Sequence, residues 1–319
     1  MIDLASLQPL EVPVLRAALE PGSWHAGAFR ARVFDALEER GWALLRGTGV
    51  SDAKEFAAAI NTLEIETTER YGDLPHESGS LGVFRTTEYP PTETIRFHSE
   101  ASHMAFAPRL IVFACLHPAT HGGATPLSDN ASAFASLPAD IADALSEQGL
   151  RYERNFVPGL DVSWEAFFGT TEPDEVLAHA TAEGIDVEWC AAGVLRTYAR
   201  RRAMLTQAGG QVCLFQQIAL HHPAFLDPEL REALAEICGG VLPRNVTLGS
   251  GAPLPDPWAV AIHDAQCREA FSFVWEAGDI LFVDNTRMSH ARTPFRGARR
   301  HLVMLGRFSA DLNQWEMKR

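Results

Sequence analysis

The chain has 319 residues, 46% of them hydrophobic and 21% charged, and 41 acidic against 27 basic side chains leave a formal net charge of −14. That balance belongs to a globular protein long enough to bury a substantial core, and the negative charge argues against nucleic acid as a partner. No stretch approaches the roughly 18 uninterrupted apolar residues of a membrane span, and the opening MIDLASLQPLEVPVL lacks the basic end, apolar run and cleavage site of a secretory signal, so a cytoplasmic protein without a membrane partner is expected. The five cysteines, Cys115, Cys190, Cys213, Cys238 and Cys267, are odd in number, dispersed and without a CxxC pair. They fit neither a disulfide framework nor a thiolate metal knot, and are expected as buried small apolar residues.

In chain order, AFRARVFDALEERG has apolar residues at helical spacing and stops at Gly41, WALLRG reads as a short buried strand, and SDAKEFAAAINTL reads as a helix with Ser51 as its N-cap. From Thr94 onward the texture is β-type: TIRFHSEA, RLIVFACL, LRYERNF, VCLFQQIAL, SFVWEAG, DILFVDN and RRHLVMLGRF are short runs punctuated by Gly, Pro and Asn. Helices interrupt them at PADIADALSEQG, TEPDEVLAHATAEG and DPELREALAEICGG. Many strands without a helix after each favour an antiparallel jelly roll over a parallel sheet. The fold class expected is α+β, with a double-stranded β-helix (jelly roll, cupin-like) core and flanking and inserted helices. No internal repeat or Ser/Gly-rich linker occurs. The reading is therefore one domain over 1–319, with a helix and strand flank over 1–80 and a jelly-roll core over 81–319 that carries a helical insert at about 130–240.

RFHSEASH, residues 96–103, places three side chains able to bind a metal within six positions. On a regular strand His98 and Glu100 face the same way, and His103 has the opposite parity. A His-x-Glu pair alone is more often a hydrogen-bonded pair than a ligand pair. More comes from EAGDILFVDNTRMSHARTPFRGARRHLVMLGRF, where a buried strand leads to His290, a loop follows, and a further strand opens with Arg299 and Arg300. Two histidines and one carboxylate with open opposite positions form the facial triad of non-haem Fe(II) oxygenases. The same set can also hold a catalytic Zn²⁺ in a hydrolase, and a catalytically silent binding protein is a third possibility because fold does not guarantee activity.

Four separated pieces carry a family resemblance: HSE at 98–100, GGATPLSD at 122–129, GDILFVDN with SH ending at 290, and RRHL from 299. On these the chain resembles the taurine dioxygenase-like (TauD/TfdA) Fe(II)/2-oxoglutarate oxygenases, near the clavaminate synthase-like members. Within them it is similar to the subgroup of the syringomycin-pathway aspartyl hydroxylase, through HSE, YERN at 152–155 and FQQ at 215–217. The resemblance implies His98, Glu100 and His290 as iron ligands. It implies Arg300 as the arginine that grips the distal carboxylate of 2-oxoglutarate, with Arg299 in its place if the register is one residue off, and Thr125 as the hydroxyl that assists. A guanidinium suits that carboxylate because it binds with two parallel hydrogen bonds and keeps its charge when partly buried. Neighbouring strand residues face opposite ways, so only one of the two arginines can look inward. The chemistry implied is decarboxylation of 2-oxoglutarate with O₂ to succinate and CO₂, coupled to oxidation of an unactivated C–H bond. Retention of Glu100, which related halogenases replace with a small residue, points to hydroxylation, with desaturation or ring closure as other outcomes.

The resemblance further implies an amino-acid-like substrate hydroxylated at its β carbon in a natural-product pathway, either free or presented by an acyl or peptidyl carrier protein. His103, Gln217 and Arg154 are substrate-pocket candidates, each balanced against a structural role. Arg292, Arg296 and Arg307 are the cations available for a free substrate's carboxylate. Arg196, Arg200, Arg201 and Arg202 concentrate four cations that could dock an acidic carrier or could equally form a solvated basic face. Asn155, His221 and His222 read as structural, and Trp189, Trp275 and Phe282 as core.

Overall fold

The structure, a computed structural model, describes residues 1–16, 27–68, 74–79, 82–86, 89–160, 162–190 and 193–308, with the backbone alone at 27–29 and 307–308. These residues cluster into two compact units, one drawn from Ile2–Arg96, Pro108–Asn130 and the chain from Glu269, the other from Phe97–Ala107 and Ala131–Arg268.

The first unit is built on a seven-stranded sheet. Its order is Val14–Arg16, Trp42–Arg46, Ile280–Asp284, Leu110–His117, Arg300–Phe308 and Ile65–Thr67, with Phe84–Arg85 also paired to Arg300–Phe308. Val14–Arg16 runs parallel to its neighbour and the other pairings are antiparallel. The central strands read as near-continuous apolar runs because both faces are covered. On one face Ala43, Leu45, Val112, Phe282 and Met304 pack with Val33, Leu37, Phe56 and Ile60 of helices Gly27–Arg40 and Ala53–Asn61. On the other face Leu44, Ile111, Phe113, Leu281 and Val303 meet Leu127 and Met288. The latter belong to a four-stranded sheet of order Ala270–Phe271, Leu127–Asp129, Met288–Arg292 and Ile95–His98, whose last strand carries the chain out of this unit after Arg96. Two sheets thus enclose one apolar layer, with helices outside, in an α+β arrangement.

The second unit centres on an antiparallel sheet of order Ile185–Trp189, Leu195–Arg201, Leu150–Phe156 and Arg244–Leu248. Its inner face contributes Leu150, Tyr152, Val246 and Leu248 to a core shared with Ile141 and Leu145 of helix Ala139–Gln148 and Ile262 of helix Asp256–Arg268. Leu195–Ala199 alternates buried and half-buried residues, the mark of a sheet with one face on a core.

Several expectations are corrected. The cap of helix Ala53–Asn61 is Asp52, whose Oδ1 accepts from Glu55 N at 2.8 Å. Ser51 instead donates its N–H and hydroxyl to the Glu55 carboxylate, one residue further out. The strand read in VCLFQQIAL is Val212–Leu214 alone, and a helical turn opens at Ile218. SFVWEAG is not a strand; the pairing lies just before it, at Ala270–Phe271. Helix Asp256–Arg268 was not foreseen, because its buried face carries His263 and Gln266 where apolar residues would announce the period. Trp189 is 40% exposed and stacks edge-on against Trp164 rather than entering the core. Cys115, Cys213 and Cys267 are buried, while Cys190 and Cys238 are half-buried. No helix among the described residues is long and apolar enough to cross a membrane.

His222 holds the second unit together at one point. Its Nε2 lies 2.8 Å from Leu254 O and its Nδ1 accepts from Ala224 N at 3.1 Å, the pattern of a neutral ring. Burial pushes its pKa below 6.5. The folded state therefore resists a proton that the unfolded chain takes up near pH 6.5, so stability is full above that value and is lost as pH falls toward the lower folded value. Urea unfolding at pH 7.5 and 5.5 is expected to show a fall at the lower pH, approaching about 1.4 kcal/mol per pH unit for this one proton. His222→Gln, which can keep both hydrogen bonds, should show a shallower dependence.

Candidate active site

In the second unit the strand ends at His98, and Glu100 sits in the turn that follows. The expected alternation along a strand is therefore not what aims the pair. Ser99 N donates to Gln216 O at 3.0 Å, and Gln217 Nε2 donates to Ser99 O at 3.1 Å. The turn continues through Ala101 at φ +56, a left-handed conformation that a side chain adopts at a cost. The result places Glu100 Oε2 3.8 Å from His98 Nε2, with both side chains largely buried.

FQQ is accordingly the clamp on this turn. Gln217 N donates to the Tyr152 hydroxyl at 2.9 Å, and Gln217 Oε1 lies 3.2 Å from His221 Nε2. Both ends of the Gln217 side-chain amide are hydrogen-bonded within the protein. Burial pushes the Tyr152 phenol up to about 12, so it stays protonated. His103, Tyr152 and His221 form a ring cluster with centroids 5.2 to 6.1 Å apart. This cluster lines a pocket together with Arg154, Phe167 and Arg244. The Arg154 guanidinium lies 4.7 Å from both the Phe156 and Phe167 rings. Asn155 is structural, donating to Leu242 O.

In the first unit His290 is central in strand Met288–Arg292, opposite Leu127 and edge-on to Phe113 at 5.3 Å. Thr125 is buried, and its Oγ1 accepts from Trp275 Nε1 at 3.1 Å. Trp275 is thus buried as expected, yet its indole N–H is spent on orienting a hydroxyl. The two arginines divide as the strand requires. Arg300 is 57% exposed and pairs with Glu77 at 2.8 Å, which removes it as the inward cation. Arg299 takes that place: its Nε donates to Gly123 O at 3.2 Å, its guanidinium lies 5.6 Å from the Phe295 ring, and no carboxylate among the described residues pairs with it. Burial, with the Arg292 charge added, pulls its pKa down to about 10. The other cations named from the sequence are placed as follows. Arg292 is a strut, donating to Tyr89 O, Pro90 O and Glu93 O. Arg296 is exposed in the short pairing with His121, and the Arg307 side chain lies outside the described residues. His301, which sequence reading passed over inside an apolar strand, is buried against Trp275 with ring centroids 4.8 Å apart.

Comparison with known proteins agrees with this chemistry. Residues 17–305 match the model of the taurine catabolism dioxygenase TauD, TfdA family, and the chain belongs to that family. It is 32% identical to the dapdiamide synthesis protein DdaC of Enterobacter agglomerans, over 85% of this chain and 83% of that one. It is 27% identical to a clavaminate synthase-like protein of Arabidopsis thaliana, over 84% and 82%. A Burkholderia xenovorans structure described as an alpha-ketoglutarate-dependent taurine dioxygenase aligns over 94% of this chain and 92% of that one, with a TM-score of 0.50 and 15% identity, a likeness of fold alone. The protein is a non-haem Fe(II)/2-oxoglutarate-dependent oxygenase, with O₂ as cosubstrate, acting on a small molecule.

The Gly122–Gly123 pair lets the loop that carries Thr125 approach Pro294. Gly122 has φ +68, and a Cβ there would stand 2.2 Å from Pro294 O; Gly47, at φ +78, has nothing within 4 Å. Gly47→Ala should therefore cost only the left-handed strain, about 1 kcal/mol, and Gly122→Ala about 3 kcal/mol with the clash added, as read by urea unfolding of the two variants.

Proposed function

We propose that this oxygenase hydroxylates an unactivated carbon, the β carbon, of an amino-acid-like substrate in the making of a natural product. The single observation that carries the cosubstrate half of this reading is Arg299: a desolvated guanidinium with no acidic partner among the described residues. Charges withdrawn from water are ordinarily paired, and the distal carboxylate of 2-oxoglutarate suits this guanidinium through two parallel hydrogen bonds. Thr125, whose oxygen already accepts from Trp275, keeps its own proton to donate to the same carboxylate.

His98, Glu100 and His290 are the proposed iron ligands. Two imidazoles and a carboxylate are the donor set of the facial triad, which leaves open positions for cosubstrate. Zinc in a hydrolase would use the same three donors but would leave Arg299 and Thr125 without work. When bound, iron, 2-oxoglutarate and O₂ together supply the oxidation, in which substrate C–H becomes C–OH while 2-oxoglutarate and O₂ become succinate and CO₂. The chain's own residues bind, orient and shield. The two sheets of the first unit are read as the double-stranded β-helix, and the whole chain as one oxygenase domain with 131–268 as an insertion.

The substrate half rests on the likeness to the dapdiamide synthesis protein and on the pocket in the second unit. Arg154 and Arg244 line that pocket beside Phe167 and Ile185, a surface suited to a carboxylate joined to a short apolar stem. A free substrate is favoured over a carrier-bound one. Of the four cations in RTYARRR, Arg200 pairs with Asp186, and Arg201 donates to the carbonyls of His103, Glu183, Gly184 and Arg200. Few charges remain there to dock an acidic carrier. Desaturation or ring closure is the alternative outcome, and product mass separates them: one oxygen gained, or two hydrogens lost.

Anaerobic reconstitution with Fe(II) and 2-oxoglutarate is expected to give a weak visible charge-transfer band, lost in Glu100→Ala and His290→Ala. Arg299→Ala should bind 2-oxoglutarate roughly 30- to 150-fold more weakly, the worth of a charge-assisted pair of hydrogen bonds, while Arg300→Ala should bind it as the wild type does. The reverse order of the two arginine variants would restore Arg300 to the site. Absence of the band from iron-replete wild type would remove the iron site as drawn.

A further inference from the structure

His301 stands inside the first unit with 3% of its surface exposed, and neither ring nitrogen has a hydrogen-bond partner among the described residues. An imidazole carries a donor and an acceptor when neutral. Leaving both unsatisfied in a protein interior is rare and marks either a cost tolerated for function or a partner still to arrive. The neighbours offer no relief. The Trp275 ring packs edge-on against the imidazole at 4.8 Å, and its N–H is already given to Thr125 Oγ1. Cys115, the residue opposite His301 across the sheet, has its thiol pushed up to about 12 by burial, so it stays a protonated, weak partner.

The strand geometry explains why a histidine faces this interior. A register irregularity lies between Arg300 and His301 in the pairing with Leu110–His117. Such an irregularity re-aims the side chain that follows it. Arg300 points out to Glu77 while His301 enters the buried layer that also holds Trp275. Burial and the Arg299 charge hold the imidazole well below its ordinary pKa, so the ring is neutral and its N–H is available to an acceptor. The surroundings therefore offer an anion three kinds of donor: the Arg299 guanidinium, the Thr125 hydroxyl, and an imidazole N–H with nothing else to bond.

We infer that His301 is a further cosubstrate-binding residue, its ring N–H donating to the distal carboxylate of 2-oxoglutarate beside Arg299 and Thr125. The inference rests on the reading of Arg299 as the anchor of that carboxylate. It carries an unusual consequence for stability. An apolar side chain of similar size removes two unsatisfied polar atoms from the interior, so it should not weaken the ligand-free protein even as it weakens cosubstrate binding.

The test uses the full chain with Mn(II) in place of Fe(II) and calorimetric titration of 2-oxoglutarate and of 2-oxopentanoate, which lacks the distal carboxylate. His301→Leu should bind 2-oxoglutarate about tenfold or more weakly, and His301→Gln should recover most of the loss. All three proteins should bind 2-oxopentanoate alike, and the ligand-free melting temperature of His301→Leu should equal or exceed the wild type. Unchanged 2-oxoglutarate affinity in His301→Leu overturns the inference. So does an equal loss for both acids, or a lowered ligand-free melting temperature, because the ring would then be a packing element. Should the leucine variant not fold, ¹⁵N resonances of the wild-type His301 ring decide: they should move on adding 2-oxoglutarate and not 2-oxopentanoate, and no selective movement overturns the proposal. Arg299→Ala separates the two levels. If it leaves 2-oxoglutarate affinity intact, the underlying assignment of the carboxylate site fails; if it weakens binding while His301→Leu does not, only the role of His301 fails.

Discussion

A guanidinium largely withdrawn from water, with no carboxylate paired to it among the described residues, is the constraint on this part of the first unit. Taking a cation out of water costs several kcal/mol unless something pairs with it, and among the described residues Arg299 receives one carbonyl bond and the face of Phe295. The surrounding residues make the burial sterically possible. Gly122 and Gly123 bring the loop close to Pro294, and the same loop presents Thr125 to Trp275. A site left electrostatically incomplete in this way is suited to an anion that comes and goes, because the protein does not compete for the charge it offers. His301 extends the same logic from charge to hydrogen bonding.

In the second unit the turn that carries Glu100 is held by direct hydrogen bonds from neighbouring residues. The turn after His98 has an alanine in a left-handed conformation and gains no help from strand pairing. Gln216, Gln217 and Tyr152 hold it through backbone bonds to Ser99 and to each other. Buried hydrogen bonds of this kind restrain the turn, and His98 and Glu100 lie at a short separation within it. The FQQ run thus supports the turn between His98 and Glu100 through its bonds to the Ser99 backbone.

Much of this was legible in the residues. The apolar runs WALLR, LIVFACL and ILFVD announced central strands because two-sided burial leaves no polar residue to mask them. LRYERNF and the helices at 139, 173 and 228 matched their local signals to within a residue or two. Helix Asp256–Arg268 did not, since polar His263 and Gln266 point inward and erase the apolar stripe. The inward-facing arginine could be narrowed to a pair and no further. One residue of register reverses a strand's faces, and an irregularity beside Arg300 lies in pairing that no local pattern encodes.

Residue types and their order determined the family, the iron and 2-oxoglutarate chemistry, and the short list of donors, since these follow from which functional groups the chain carries and in what sequence. Tertiary structure decided which member of that list faces inward. It turned Arg300 to solvent and Arg299 to the interior, made struts of Arg292 and Gln217, and brought His301 and Trp275 beside Thr125 from distant parts of the chain. The physical reason is that burial, and with it the lowered pKa of a guanidinium and the unmet hydrogen bonds of an imidazole, belongs to the packed sheets and not to any stretch of chain taken alone.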